Sequence, residues 1–208
     1  MHRGSPIDLV LSPLSPPPAD LRRFPSLRLH RGARLYRIHR AGLSPWWFSG
    51  DGSGRFDLPA TPGSLPPNGT CYLSHDPVGC FIEVFREWTL IPETELDDRR
   101  ISSLELSDDV NLADCTSSLA RVFGITAEVH STEDYPCTQR WAAALFAAGF
   151  GGIQYFLRHD PGQHCSGVAL FGPAGVADYP CPLAEPVGPE ILEKAKLRFG
   201  LEVAPPFN

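Results

Sequence analysis

Proline is the feature that most limits how this chain can fold. The 208 residues include 22 prolines and 19 glycines, where proline normally supplies only about 5% of positions. Each proline fixes φ and removes a backbone donor. Because 12 Phe, 5 Tyr and 4 Trp are also present, the excess points to long ordered loops rather than to disorder. The length fits one domain and can bury a core without disulfides or metals. The hydrophobic fraction of 42% and charged fraction of 20% are those of an ordinary globular protein.

Between the prolines, short elements can be placed. Residues 1–33 form a Pro/Ser/Leu/Arg-rich arm containing Pro16-Pro17-Pro18, expected as an extended segment or a short helix laid on the domain. Leu35–His39 reads as the first strand. A Gly/Pro/Ser-rich loop follows from Ala41 to Thr70, and Trp46, Trp47, Phe48 and Phe56 mark it as ordered and functional. Thr70–Ser74 reads as a strand. Pro77–Trp88 reads as a helix with Asp76 as N-cap and Pro77 in its first turn. Arg100–Leu106 is expected as a strand and Leu112–Phe123 as a helix closed by Gly124. Tyr135–Ala148 is a helix stopped by Gly149, with Trp141, Leu145 and Ala148 on one face. Gly152–Leu157 and Gly167–Phe171 are strands, and Pro189–Phe199 is a C-terminal amphipathic helix. The order lacks a regular βαβ rhythm, so the fold class is α+β in a single domain.

Several functions are disfavoured at once. A net charge of −6 with no basic stripe argues against nucleic acid as a partner. Residues 1–14 lack the apolar core of a signal peptide, and no run approaches the roughly 18 apolar residues of a membrane span. A soluble, cytoplasmic protein is expected. Cys71, Cys80, Cys115, Cys137, Cys165 and Cys181 form no C-x-x-C pair. They read as reduced, buried thiols rather than as a zinc module or a disulfide framework. G-x-S-x-G, Walker and H-E-x-x-H motifs are missing, and the seven histidines do not cluster at ligand spacing. No metal site is expected.

Two stretches can carry chemistry. Phe48-Ser49-Gly50-Asp51-Gly52-Ser53-Gly54-Arg55-Phe56 lets backbone approach a ligand closely, and its turn N–H groups can cradle an anion. Arg55 would add a guanidinium fork for phosphate. The bland alternative is a flexible turn ending in a surface Arg. In the second stretch, the strand ending Cys71-Tyr72-Leu73-Ser74 delivers Tyr72, and the next helix carries Glu83 among Cys80, Phe81, Ile82, Val84 and Phe85. A carboxylate among apolar neighbours needs a partner or a task, unless it simply faces solvent.

Taken in order, Tyr36-Arg37, Ser53-Gly54-Arg55-Phe56, Gly69-Thr70-Cys71-Tyr72-Leu73-Ser74 and Phe81-Ile82-Glu83-Val84 resemble the RES domain family. Asp134-Tyr135-Pro136-Cys137-Thr138-Gln139-Arg140-Trp141-Ala142, Gly149-Phe150-Gly151-Gly152-Ile153-Gln154-Tyr155 and Val168-Ala169-Leu170-Phe171 extend the resemblance over about residues 34–172. It leaves 173–208 as a C-terminal extension with a helix. Such domains are the toxins of RES–Xre toxin–antitoxin pairs. The resemblance implies an ADP-ribosyltransferase-like fold, a mixed β core flanked by helices, that binds NAD⁺ and splits its nicotinamide–ribose bond. Water, inorganic phosphate or a protein would accept the ADP-ribose.

Carried onto this chain, Arg37 and Arg55 would hold phosphates beside Ser53 and Gly54. Tyr72 would stack on nicotinamide, and Glu83 would stabilise the oxocarbenium-like ribose. A protein antitoxin and a homodimer are the implied partners. The chain departs from the family at Leu157, where a Ser is common. That loss opens the alternative of a non-catalytic module that binds NAD⁺ or ADP-ribose. Tyr135, Gln139 and Trp141 are expected to support the site or the core rather than to touch ligand.

Overall fold

The computed structural model describes residues 14–59, 67–180 and 183–204. Expectations for the start of the arm and for Cys181 lie outside the described residues. Within them the strands are β1 (Ser26–Leu29), β2 (Arg34–Arg40), β3 (Trp47–Phe48), β4 (Asn68–Ser74), β5 (Leu90–Ile91), β6 (Arg99–Glu105), β7 (Val110–Asp114), β8 (Gly152–Phe156), β9 (Ser166–Pro173), β10 (Gly175–Val176) and β11 (Glu202–Val203). The α-helices are α1 (Pro77–Val84), α2 (Glu93–Asp97), α3 (Glu128–Ser131), α4 (Tyr135–Ala147) and α5 (Pro189–Phe199).

Seven strands form one mixed sheet in the order β1-β7-β8-β9-β4-β2-β6. Its neighbours are antiparallel except for the β7–β8 pair. A parallel pair needs a long crossover, and here it holds a 3-10 helix (Ser118–Phe123), α3 and α4. Strand alternation sends Cys71 and Leu73 of β4 into one core with Leu35, Trp46, Phe48 and Leu104. Tyr72 faces the other, larger core, which gathers Phe81 of α1, Trp141 of α4 and Ile191 of α5. The architecture is α+β, a central sheet flanked by helices.

The local signals explain most elements. The Asp76 carboxylate accepts Val78 N–H at 2.8 Å and caps α1, whose Val78, Cys80, Phe81 and Ile82 are buried. In α4 the Asp134 side chain accepts Cys137 N–H at 3.2 Å, and Gly149 turns left-handed just beyond the last turn. Gly200 closes α5 in the same left-handed conformation.

Two expectations are corrected. The stretch expected as one helix, Leu112–Phe123, is strand β7 followed by the 3-10 helix. Leu112 and Ala113 are fully buried between β1 and β8, so sheet pairing overrides local helical preference. α1 ends at Val84 rather than Trp88, because the chain must turn back for Leu90–Ile91 to pair with β11. Of the two expectations for the arm, its described part follows the extended segment laid on the domain. Leu14, Leu21 and Phe24 are core residues, and β1 pairs with β7 at the sheet edge.

Candidate functional site

The site begins where the sheet comes apart. β2 is registered against β6 along its whole length, but it meets β4 only at Tyr36–Ser74. Beyond that pair Arg37 and Ile38 of β2 and Tyr72 and Leu73 of β4 line a cavity of about 720 Å³. That volume suits a sizeable small-molecule ligand. α1 roofs one side with Glu83, and the Gly-rich loop supplies Ser53, Gly54 and Arg55. All six residues singled out by sequence therefore share one cavity.

Glu83 is largely shielded from solvent, and its Oε1 is fully buried without a hydrogen-bond partner. Burial lifts its pKa above the ordinary glutamate range, opposed by the His159 backbone amide and by the charges of Arg86, Arg55 and Arg158. An unpartnered buried carboxylate oxygen is costly, and this one lies in a wall that also carries four arginines, Arg37, Arg55, Arg86 and Arg158.

Arg55 is held from two sides. Its Nη1 donates to Thr132 O, and its guanidinium lies over the Tyr135 ring at 5.3 Å. Burial depresses its pKa, partly offset by Tyr135, Tyr155 and Glu83. The loop that carries it is pinned by α4. Thr138 Oγ1 donates to Arg55 O at 2.5 Å, and Gln139 Nε2 donates to Gly52 O at 2.8 Å and Gly54 O at 2.9 Å. Trp141 is wholly buried and donates from Nε1 to Ser15 O at 2.8 Å.

Tyr72 presents its ring to the cavity while its hydroxyl is engaged behind it. The hydroxyl donates to Asp57 Oδ1 at 2.7 Å and accepts Phe56 N–H at 2.9 Å. Asp57 is fully buried and also accepts Gly54 N–H at 3.0 Å. A Cβ on Gly54 would come within 2.8 Å of Tyr72 Cε2, so the loop passes over the ring only as glycine.

Arg37 lines the cavity with one guanidinium nitrogen committed to the protein. By strand alternation it leaves β2 on the side of Leu35. Its Nη1 donates to Pro45 O at 2.7 Å, Trp47 O at 2.9 Å and Cys71 Sγ at 3.0 Å. It thereby bridges the parted strands and ties down the following loop. In that loop Trp46 and Phe48 are core residues and Trp47 is exposed.

A model of the RES domain matches residues 34–187, about three-quarters of the chain. The chain belongs to the RES domain family. No curated protein matches the chain in sequence. Among solved structures, a chain of the M. tuberculosis MbcT–MbcA toxin–antitoxin complex superposes with a TM-score of 0.59. The match covers 82% of this chain and 92% of that one at 16% identity, a likeness of fold.

The RES match spans every cavity residue named above, whereas β1 and α5 lie outside it. At the departure noted in sequence, Leu157 is a buried part of the cavity wall. Its methyls pack where a Cβ on Gly79 or Gly167 would fall, at 2.9 and 2.8 Å. The nearby Ser74 does not replace the missing hydroxyl. It already donates to Ser166 O at 3.1 Å and accepts Asp76 N–H at 3.2 Å. Tyr155, His130 and Arg158 also line the cavity. Nothing in the local sequence marks His130 or Asp57, because each is placed by a partner distant in the chain.

The five described cysteines, Cys71, Cys80, Cys115, Cys137 and Cys165, are buried free thiols. Among the described residues no helix is long and apolar enough to cross a membrane, and no three His, Cys, Asp or Glu side chains converge as metal ligands.

Proposed function

We propose that this RES-domain protein binds NAD⁺ in the cavity and breaks the bond between nicotinamide and ribose, acting as the toxin of a toxin–antitoxin pair. The observation that carries this reading is Glu83, whose Oε1 is buried, unpartnered and set in a wall of arginines. Such a group suits a ligand that is cationic at one point and anionic elsewhere, and NAD⁺ is both. In this reading the fold is ADP-ribosyltransferase-like, and the parting of β2 from β4 makes the nucleotide cleft.

Each residue then has a task. The Tyr72 ring orients the nicotinamide. As the glycosidic C–N bond breaks, nicotinamide leaves with the bonding pair and positive charge grows on the ribose, where the Glu83 carboxylate stabilises it. Arg55, with Arg37 behind it, balances the diphosphate without titrating, and the Ser53–Gly54 backbone passes close to the ligand. The acceptor that bonds to the ribose carbon is water, phosphate or a protein side chain. A protein antitoxin restrains the activity, as the fold relative comes from a toxin–antitoxin complex.

Leu157 supports a second reading, a non-catalytic module for NAD⁺ or ADP-ribose, because an apolar side chain fills the wall where relatives offer a hydroxyl. Nicotinamide release from NAD⁺ by the purified protein, with and without inorganic phosphate and beside Glu83→Gln, separates the two. Release that depends on Glu83 is expected, and any stimulation by phosphate names the acceptor. NAD⁺ binding without release would favour the module.

A further inference from the structure

β8 runs beyond the end of its parallel neighbour. The last registered pair of β7 and β8 is Asp114–Gln154, and Cys115 N–H still reaches Gln154 O at 3.0 Å. Phe156 N–H, next in line on that side, has no strand left to receive it. His130 of α3 supplies the acceptor, with Nδ1 at 3.3 Å from Phe156 N. A backbone amide can only donate, so Nδ1 carries no proton. A neutral imidazole then bears its proton on Nε2.

The ring is buried, stands edge-on to Phe156 at 5.2 Å and lines the same cavity as Glu83 and Arg55. Among the described residues no protein acceptor meets Nε2. Arg55 is tied to the same wall, since it donates to Thr132 O two residues past His130. Beyond that bond, the Arg55 side chain makes no other hydrogen bond within the described protein. One wall thus offers a charged donor and a neutral one side by side.

We propose that His130 is a ligand-binding residue of this cavity, donating its Nε2–H to a phosphate oxygen of an ADP-ribose-type ligand that Arg55 also holds. The proposal rests on the NAD⁺ reading of the cavity. Arg55 supplies charge, and His130 supplies direction, because an imidazole fixed at Nδ1 can point its single N–H only one way. Burial and the Arg55 charge depress the His130 pKa to about 4, so the group remains a neutral donor at physiological pH.

Two measurements test this. In ¹⁵N-histidine-labelled protein, two-bond ¹H–¹⁵N spectra should show His130 as the Nε2–H tautomer, and its Nε2 resonance should move when ADP-ribose is added. By calorimetry, His130→Phe should weaken ADP-ribose binding about tenfold, within the range of a hydrogen bond to a charged group. His130→Gln, which retains an N–H donor, should recover binding to within about threefold of wild type. A purely structural histidine would leave the Nε2 resonance unmoved at saturation. That result, an Nδ1–H tautomer, or wild-type affinity in His130→Phe would each overturn the proposal while leaving NAD⁺ binding intact. Failure of the wild-type protein to bind either ADP-ribose or NAD⁺ would instead bring down the functional reading, and this inference with it.

Discussion

The Tyr72 hydroxyl donates a 2.7 Å hydrogen bond to Asp57, a fully buried carboxylate 15 residues earlier in the chain. The bond divides Tyr72 into a cavity-facing ring and a loop-anchoring hydroxyl, and the two parts can be removed separately. Tyr72→Phe leaves Phe56 N–H and Asp57 Oδ1 each short of a partner. It should cost about 1–3 kcal/mol of stability, the penalty for orphaned buried polar groups. Urea unfolding reads this, and the KM for NAD⁺ should change little because the ring remains. Tyr72→Ala should instead reduce nicotinamide release at least tenfold. Equal loss of activity in both variants would mean that the hydroxyl, not the ring, serves the ligand.

Gly54 makes a complementary test of the same contact. Any Cβ there collides with the Tyr72 ring and with Asp57, so Gly54→Ala must displace the loop or the ring. Overpacking of this kind costs about 1–3 kcal/mol. A crystal structure of the variant should show Arg55 moved from Tyr135, with weaker NAD⁺ binding. An unshifted loop with unchanged affinity would count against the cradle.

Glu83 should trade stability for function. Burial raises its folded-state pKa above the unfolded value. The stability linked to its protonation is fully present below the unfolded pKa and is lost as pH rises through the folded pKa. At neutral pH the wild-type protein carries that loss, and Glu83→Gln does not. The variant should be more stable by about 1 kcal/mol near pH 7, and the gap should close on acidification through the folded pKa. Nicotinamide release should fall by a factor of about 10² or more. Urea melts at several pH values check the first part. A variant less stable than wild type at neutral pH would show that the carboxylate is already satisfied.

The parts of this fold legible in the sequence are those set by neighbours in the chain. Asp76-Pro77 starts α1, Gly149 stops α4, and Pro189 with Gly200 brackets α5, because caps and left-handed turns are local chemistry. The gathering of Gly54, Arg55, Tyr72 and Glu83 was implied only by the resemblance of the chain to the RES family. β7 was not legible, because its burial between β1 and β8 exists only once the sheet forms. The two-residue strands β3, β5, β10 and β11 were hidden for the same reason. Asp57 and His130 carry no local signal because each answers a tertiary demand: one anchors Tyr72, and the other caps an amide left over where β7 ends.

Leu157 tests how far the site has departed from its relatives. Its side chain is buried against Gly79 and Gly167 in the cavity wall, at the position where the resemblance to the family implies a Ser. Leu157→Ser removes most of that packing and should destabilise the protein by about 2–4 kcal/mol, as truncations in cores do. It also places a hydroxyl in the wall that holds Glu83 and Arg55, at a position that Ser74, with its hydrogen bonds committed, does not serve. If that hydroxyl limits turnover, nicotinamide release per folded molecule should rise severalfold in the variant despite its lower Tm, and the rise should vanish in the Leu157→Ser/Glu83→Gln double variant. Leu157→Ala, which opens the same space without a donor, should show the destabilisation but not the gain. A gain in both single variants would assign the effect to cavity volume, and a gain in neither would mean that cleavage at this site proceeds without a hydroxyl.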